Sequence, residues 1–169
     1  MRIGLISDTH SFLDPKVFKY FEEVDQIWHA GDVGHAGIIE ELGAFKPTLG
    51  VYGNIDGNDV RQLFPEDQKF DCEGVRVWMT HIGGKPPKYN PRVRPLINKW
   101  MPQLFICGHS HILAVMHDPK RPGVLYMNPG AAGRHGAHKE RTLLRFTIEA
   151  GQTKELEVIK LGSRAQLMV

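Results

Sequence analysis

Ile3-Gly4-Leu5-Ile6-Ser7-Asp8-Thr9-His10 is a short apolar run that breaks directly into a carboxylate and an imidazole. The run has the length of a buried strand, and its polar end sits where a strand gives way to a loop. The same arrangement recurs down the chain. Residues 24–30 lead into Gly31-Asp32, residues 48–52 into Gly53-Asn54, residues 75–80 into His81, and residues 104–107 into Gly108-His109-Ser110-His111. In open α/β sheets, ligands bind outside the carboxyl ends of the strands. The five loops therefore predict one convergent site rich in oxygen and nitrogen donors, a mixture suited to a pair of divalent metals.

Between these runs the pattern turns helical. Asp14 is placed to cap a helix that has Pro15 in its first turn, and Val17, Phe18, Tyr20 and Phe21 supply its apolar face. Ile38, Ile39 and Leu42 mark a second helix that ends near Gly43. Residues 58–64 read as loop or short helix, stopped by Pro65. The second half is richer in strands. Residues 69–72 and 75–80 flank a Glu73-Gly74 turn, residues 104–107, 113–117 and 124–127 follow, and residues 143–149 and 154–160 form a hairpin around Gly151. Residues 83–91 read as a Gly/Pro-rich loop, followed by a helix on Val93, Leu96, Ile97 and Trp100 that Pro102 closes. A βαβαβ start followed by antiparallel strands predicts an α/β fold of two packed sheets with helices outside. A flavodoxin-like doubly wound sheet is the rival, and the late hairpins argue against it. Residues 1–161 are expected to form one domain, with residues 162–169 as a C-terminal tail.

The composition narrows the function classes. A chain of 169 residues with 41% hydrophobic and 24% charged residues has neither a disordered nor a membrane composition. A net charge of +2 gives no support for nucleic-acid binding. Cys72 and Cys107 are the only cysteines, which points to a reducing, cytoplasmic setting rather than a disulfide framework. The first apolar run is too short for a secretory leader, and no stretch has the length of a membrane span.

The donor residues make chemical sense together. In extended chain, Asp8 and His10 at i and i+2 share a face, so both can reach one metal. Asp32 follows a glycine that allows close backbone approach, and its two oxygens can bridge two ions. Asn54 offers a neutral amide oxygen. His109 and His111 repeat the i, i+2 spacing, and His81 stands alone after its strand. Taken singly, Asp-Thr-His, Gly-Asp, Gly-Asn and the lone His are weak signals; Gly-His-Ser-His is stronger, though compatible with a single-metal site, and the order of all five is the strongest.

In that order, Asp-Thr-His, Gly-Asp, Gly-Asn, a lone His and Gly-His-Ser-His resemble the calcineurin-like metallophosphoesterases, in particular their small single-domain bacterial and archaeal phosphodiesterase branch. The resemblance spans roughly residues 1–150. It implies a four-layer αββα sandwich of two mixed β-sheets flanked by helices. It implies two divalent ions, with manganese the first expectation and nickel, zinc or iron as alternatives. One ion would be held by Asp8, His10, Asp32 and His111, and the other by Asp32, Asn54, His81 and His109. Such a pair clamps phosphoryl oxygens and acidifies a bridging water for in-line attack.

One departure stands out. Many members read Gly-Asn-His-Glu at the third motif, where the histidine helps protonate the leaving group. Here the segment is Gly53-Asn54-Ile55-Asp56. Isoleucine transfers no proton, and Asp56 is left to orient a ligand from behind. General acid catalysis contributes roughly 10²–10⁴-fold, so esters with good leaving groups suffer least. His135 and His138, in the glycine-rich loop after Asn128-Pro129-Gly130, are candidate replacements as proton donor or phosphate ligand. Arg134, Lys139 and Arg141, and separately Lys85, Lys88, Arg92 and Arg94, are basic clusters able to meet a phosphate, although a solvated surface is the usual role of such charges.

The expected partner is a phosphoester substrate, a small molecule rather than a polymer, with no membrane and with homo-oligomers compatible. A catalytically weak scaffold or binding protein on the same fold, as a retromer subunit illustrates, is the main alternative. A nuclease of the same superfamily is the third.

Overall fold

The computed structural model describes residues 1–164. In chain order its elements are β1 (Arg2–Ile6), α1 (Lys16–Tyr20), β2 (Gln26–His29), α2 (Ala36–Phe45), β3 (Thr48–Gly50), α3 (Asn58–Arg61), β4 (Asp67–Cys72) and β5 (Val75–Thr80). Then come β6 (Gly84–Lys85), β7 (Lys88–Tyr89), α4 (Arg94–Trp100), β8 (Leu104–Ile106), β9 (Ala114–Asp118), β10 (Arg121–Asn128), β11 (Glu140–Glu149) and β12 (Gln152–Ser163). One five-stranded sheet runs β12-β11-β1-β2-β3, and a second runs β4-β5-β8-β10-β9. Both are mixed: β1, β2 and β3 are parallel, as are β5, β8 and β10, and the other ladders are antiparallel.

Period-two alternation sorts the strand residues between two kinds of core. Ile3 and Leu5 of β1 meet Val77, Met79, Leu104 and Ile106 between the sheets. Ile6 faces the other way, into a cluster with Val17 of α1, Ile38 and Leu42 of α2 and Val60 of α3. On the far side, Trp78 and Phe105 pack with Ile97 of α4. The layers are therefore helix, sheet, sheet, helix, as expected of an αββα sandwich, and the doubly wound alternative is excluded by the division into two sheets. Strands buried on both faces explain why the runs ending at Ser7 and Cys107 are almost uninterruptedly apolar. The helices are short and rely on packing. Burying a side chain the size of Leu42 or Ile38 contributes about 1.5–3 kcal/mol, whereas ten residues of isolated helix are marginal in water.

Some boundaries differ from expectation. The first helix begins one residue after Pro15, which takes the N-cap place expected of Asp14, while Asp14 Oδ1 accepts the Lys16 N–H at 2.9 Å. The stretch expected to be a plain loop at 83–91 contains the β6–β7 hairpin. β12 continues into the expected tail because Gly162 pairs with Arg141 and Ser163 with Glu140. Residues 165–169 of that tail lie outside the described residues. No helix among the described residues is long and apolar enough to cross a membrane.

Candidate metal centre

The ends of β1, β2 and β3 in one sheet and of β5 and β8 in the other meet at a single edge of the sandwich. Six of the seven expected ligands gather there in two groups, Asp8 with His10 and His111, and Asp32 with His81 and His109. Asn54 sits beside the second group, lining a cavity of about 360 Å³ together with His81. Each sheet thus contributes to both groups.

Asp8 is held by one oxygen and free at the other. Its Oδ2 accepts hydrogen bonds from Ser7 Oγ at 2.6 Å and from the His109 N–H at 3.2 Å. Its Oδ1 has no hydrogen-bond partner and lies 3.1 Å from His111 Nε2 and 4.0 Å from both His10 Nε2 and His81 Nε2. Asp32 spans the two groups. Its Oδ1 is 3.2 Å from His81 Nε2, and its Oδ2 is 3.6 Å from His10 Nε2. Ile55 donates its backbone N–H to the same Oδ1 at 3.1 Å.

The buried histidines are oriented from behind. His81 donates its Nδ1 proton to Ala30 O at 2.7 Å, which turns Nε2 into the site. His10 Nε2 and His81 Nε2 are buried without a hydrogen-bond partner. Burial opposes charge on His81, but the nearby Asp32 and Asp8 carboxylates raise its pKa overall. Asp32 is likewise drawn below the usual carboxylate range by His81, against the effect of burial. On His10 burial prevails over Asp32 and Asp8, and the pKa falls. Buried carboxylate and imidazole atoms left unpaired within a few ångströms of one another are costly as they stand. Hard oxygen and neutral imidazole donors are what a divalent first-row ion takes. The residues present therefore fit a pair of such ions.

Five of the six gathered residues have left-handed backbone. φ is 54° at Asp8, 46° at His10, 52° at Asp32, 67° at His109 and 57° at His111. Asp and His tolerate that region better than most residues, but it remains a strained choice that functional sites concentrate. Asp8 and His10 are thus brought into one group by a backbone that curls, rather than by the extended chain that their spacing suggests. His109 and His111, with the same spacing, go to different groups. Close approach also needs small residues. A Cβ at Gly31 would lie 2.6 Å from His81 Nδ1, and one at Gly53 would collide with Asp32 Oδ1.

One supporting residue, Asn128, carried little signal in the sequence. Asn128 donates through Nδ2 to Gly108 O at 2.8 Å and to Ser110 Oγ at 3.1 Å, fixing the Gly-His-Ser-His loop. Its only advance sign is the Asn-Pro-Gly turn at a strand end. Asp56 accepts three backbone N–H groups, from Gly53 at 2.7 Å, Gly34 at 2.7 Å and Val33 at 3.1 Å, and so ties the Asn54 loop to the Asp32 loop. Ile55 is 46% exposed. His135 lies over His10, with ring centroids 4.9 Å apart. His138 faces His111 and donates through Nε2 to Gly133 O at 3.1 Å, while its Nδ1 is buried and unpaired. The basic clusters divide. Arg141 is buried and ion-paired with Asp14 at 2.8 Å, so it is no phosphate ligand. Arg92 is bound to Asp67 at 2.6 Å, and Arg134 lies over the Phe12 ring. Cys107 is buried, and desolvation pushes its thiol up to about 12, which makes it a structural residue.

A model of the calcineurin-like phosphoesterase superfamily domain matches residues 1–151. A probable metallophosphoesterase of Methanothermobacter thermautotrophicus is 31% identical over 138 residues, covering 78% of this chain and 77% of the relative. Among solved structures, Vps29 of Entamoeba histolytica complexed with zinc superposes with a TM-score of 0.69 at 17% identity, over 95% of this chain and 99% of that one. The E. coli phosphoesterase Yfce superposes with a TM-score of 0.58 at 18% identity, over 93% and 98%. At these identities the structural likeness speaks for the fold alone.

Proposed function

The chain belongs to the calcineurin-like phosphoesterase superfamily, and from that premise we propose that it is a metal-dependent phosphodiesterase. The observation that carries the reading is the set of unpaired buried atoms, Asp8 Oδ1, His10 Nε2 and His81 Nε2, gathered around the two-sided Asp32 carboxylate. Asp8, His10, His111 and Asp32 would hold one divalent ion, and Asp32, Asn54, His81 and His109 the other. Bound there, the ions supply Lewis-acid stabilisation of the phosphoryl oxygens and a water acidic enough to be deprotonated near neutral pH.

The chain's own residues do the rest. Asp56 and Asn128 hold the loops in register, and Asp32 and Asp8 set the negative charge that draws cations in. Ile55 contributes no proton, so the leaving group must depart largely unassisted or take its proton from the opposite rim. His135 is the better-placed candidate, because its ring is exposed beside His10. His138 spends its Nε2 proton on Gly133 O, and burial lowers its pKa. Weak acid assistance favours diesters with acidic alcohols over unactivated monoesters.

One observation favours a second reading, a protein-binding scaffold. Ile55 and Ile112, 46% and 64% exposed, follow ligand positions directly and put apolar surface on the rim of the centre. Hydrolysis of bis(p-nitrophenyl) phosphate beside p-nitrophenyl phosphate, with manganese, nickel or zinc, separates the two. Diester turnover that requires the metal supports the enzyme. No turnover of either ester with any metal supports the scaffold.

A further inference from the structure

Two of the cavities beside the centre share Ile82 and Asn90 as a common wall. The first contains Asn54 and His81. It also carries Glu66, and its Arg92 is already committed to Asp67 and Glu66. The second, of about 380 Å³, opens beside His109 between the β6–β7 hairpin and the Gly-His-Ser-His loop. Its walls include Ile82, Ile112 and Tyr126, and no carboxylate lines it. That volume lies within the range of small-molecule sites, roughly 300–1,000 Å³.

The hairpin places two cations at this second cavity. Lys85 and Lys88 are direct cross-strand partners and both line it. Like charges directly opposite on a two-stranded ribbon repel. Neither lysine forms an ion pair among the described residues. Ser110 adds a hydroxyl that already accepts from Asn128 Nδ2, leaving its proton to offer to a ligand.

We infer that this cavity binds one organic arm of the phosphoester, an apolar or aromatic group ending in a second anionic substituent that rests between Lys85 and Lys88. The inference rests on the phosphodiesterase reading for what sits at the centre. It goes further in naming the substrate class, a phosphodiester with one arm that carries its own carboxylate or phosphate. The reacting phosphoryl group lies at the His109 side, the ring between Ile112 and Tyr126, and the anion at the hairpin. The first cavity, with its acid and its neutralised arginine, receives the uncharged arm.

The test uses diphenylphosphinate, a diester mimic whose P–C bonds are not hydrolysed, with its 4-carboxy and 4-phosphono derivatives, titrated calorimetrically into the manganese-equilibrated protein at low salt. The charged derivatives should bind about tenfold more tightly than the parent, in line with two partly screened ion pairs. The ratio should collapse in the Lys85→Ala/Lys88→Ala variant and invert in Lys85→Glu/Lys88→Glu. The stronger of the two derivatives identifies the anion. Equal affinities in the unmodified protein, a ratio that survives both variants, or no binding of any phosphinate overturns the inference. Because the probes are not turned over, a failed diesterase reading appears as absent turnover with the ratio intact. A failed cavity assignment appears as turnover without the ratio.

Discussion

His29 Nε2 lies 2.9 Å from Oγ1 of Thr9, the residue between Asp8 and His10. His29 Nδ1 accepts the Gly31 N–H at 3.2 Å, so the proton is on Nε2, and Thr9 in turn donates to Val33 O at 3.0 Å. The chain of bonds links the first ligand loop to the second and requires a neutral imidazole. Burial lowers the pKa of His29 from its ordinary 6.5 to about 4. In this window the unfolded chain takes up the proton and the folded one does not. The stabilisation is therefore complete above pH 6.5 and is lost as the pH falls towards 4. The shift corresponds to about 3 kcal/mol. Urea denaturation at pH 7 and at pH 4 should show the metal-free protein losing about that much more stability than a His29→Gln variant. Equal losses in both proteins would mean that His29 does not remain neutral.

Asp56 is the brace between two loops. Replacing it with alanine strips three backbone N–H groups of their acceptor, at about 1–3 kcal/mol for each that stays buried. Asp56→Ala should cost about 3 kcal/mol or more in denaturation and weaken metal binding about tenfold or more through the displaced Asp32 and Asn54 loops. Asp56→Asn, which keeps one acceptor oxygen, should fall between. A stable Asp56→Ala protein with unchanged metal affinity would show that the loops hold their places without it.

Under the proposed mechanism, Ile55 stands where a proton donor would be needed to face the leaving group. Its side chain is 46% exposed, so a histidine fits there without repacking. Ile55→His should raise kcat on diesters with poor leaving groups, such as phenyl esters, by about 10²-fold, the lower end of what general acid catalysis contributes. p-Nitrophenyl esters should gain far less. An unchanged ratio between the two esters would remove Ile55 from the account of leaving-group preference.

His135 and His10 stack with ring centroids 4.9 Å apart. His135→Ala should reduce kcat about tenfold or more on phenyl esters and less on p-nitrophenyl esters, the signature of a lost proton donor. His138→Ala should act through the glycine-rich loop and shift both esters together. If neither variant changes kcat, the two histidines are solvated loop residues.

The parts legible in the sequence are those that single residues report. A strand buried on both faces must be largely apolar, so the runs before Asp8 and His109 announce themselves, and the donors stand at their ends. Conformation and long-range pairing leave weaker traces. Nothing in Asp8 or His109 announces a positive φ, because the strain is imposed by loops packing from both sheets. Arg141 reads as a surface cation until Asp14, far away in the chain, is found beside it. The β6–β7 hairpin hides in a stretch whose glycines and prolines suggest loop. The extension of β12 to Ser163 depends on the register of Arg141 with Gly162, which periodicity alone does not give.

Asp32 is where the two ligand groups touch, and counting metal is the most direct test of its role. Manganese titration followed by metal analysis of the desalted protein should give two ions per chain, one for each group. The Asp32→Ala variant should keep at most one and lose turnover of bis(p-nitrophenyl) phosphate while remaining folded. One ion or none in the unmodified protein, or two retained in Asp32→Ala, would contradict a centre bridged by Asp32.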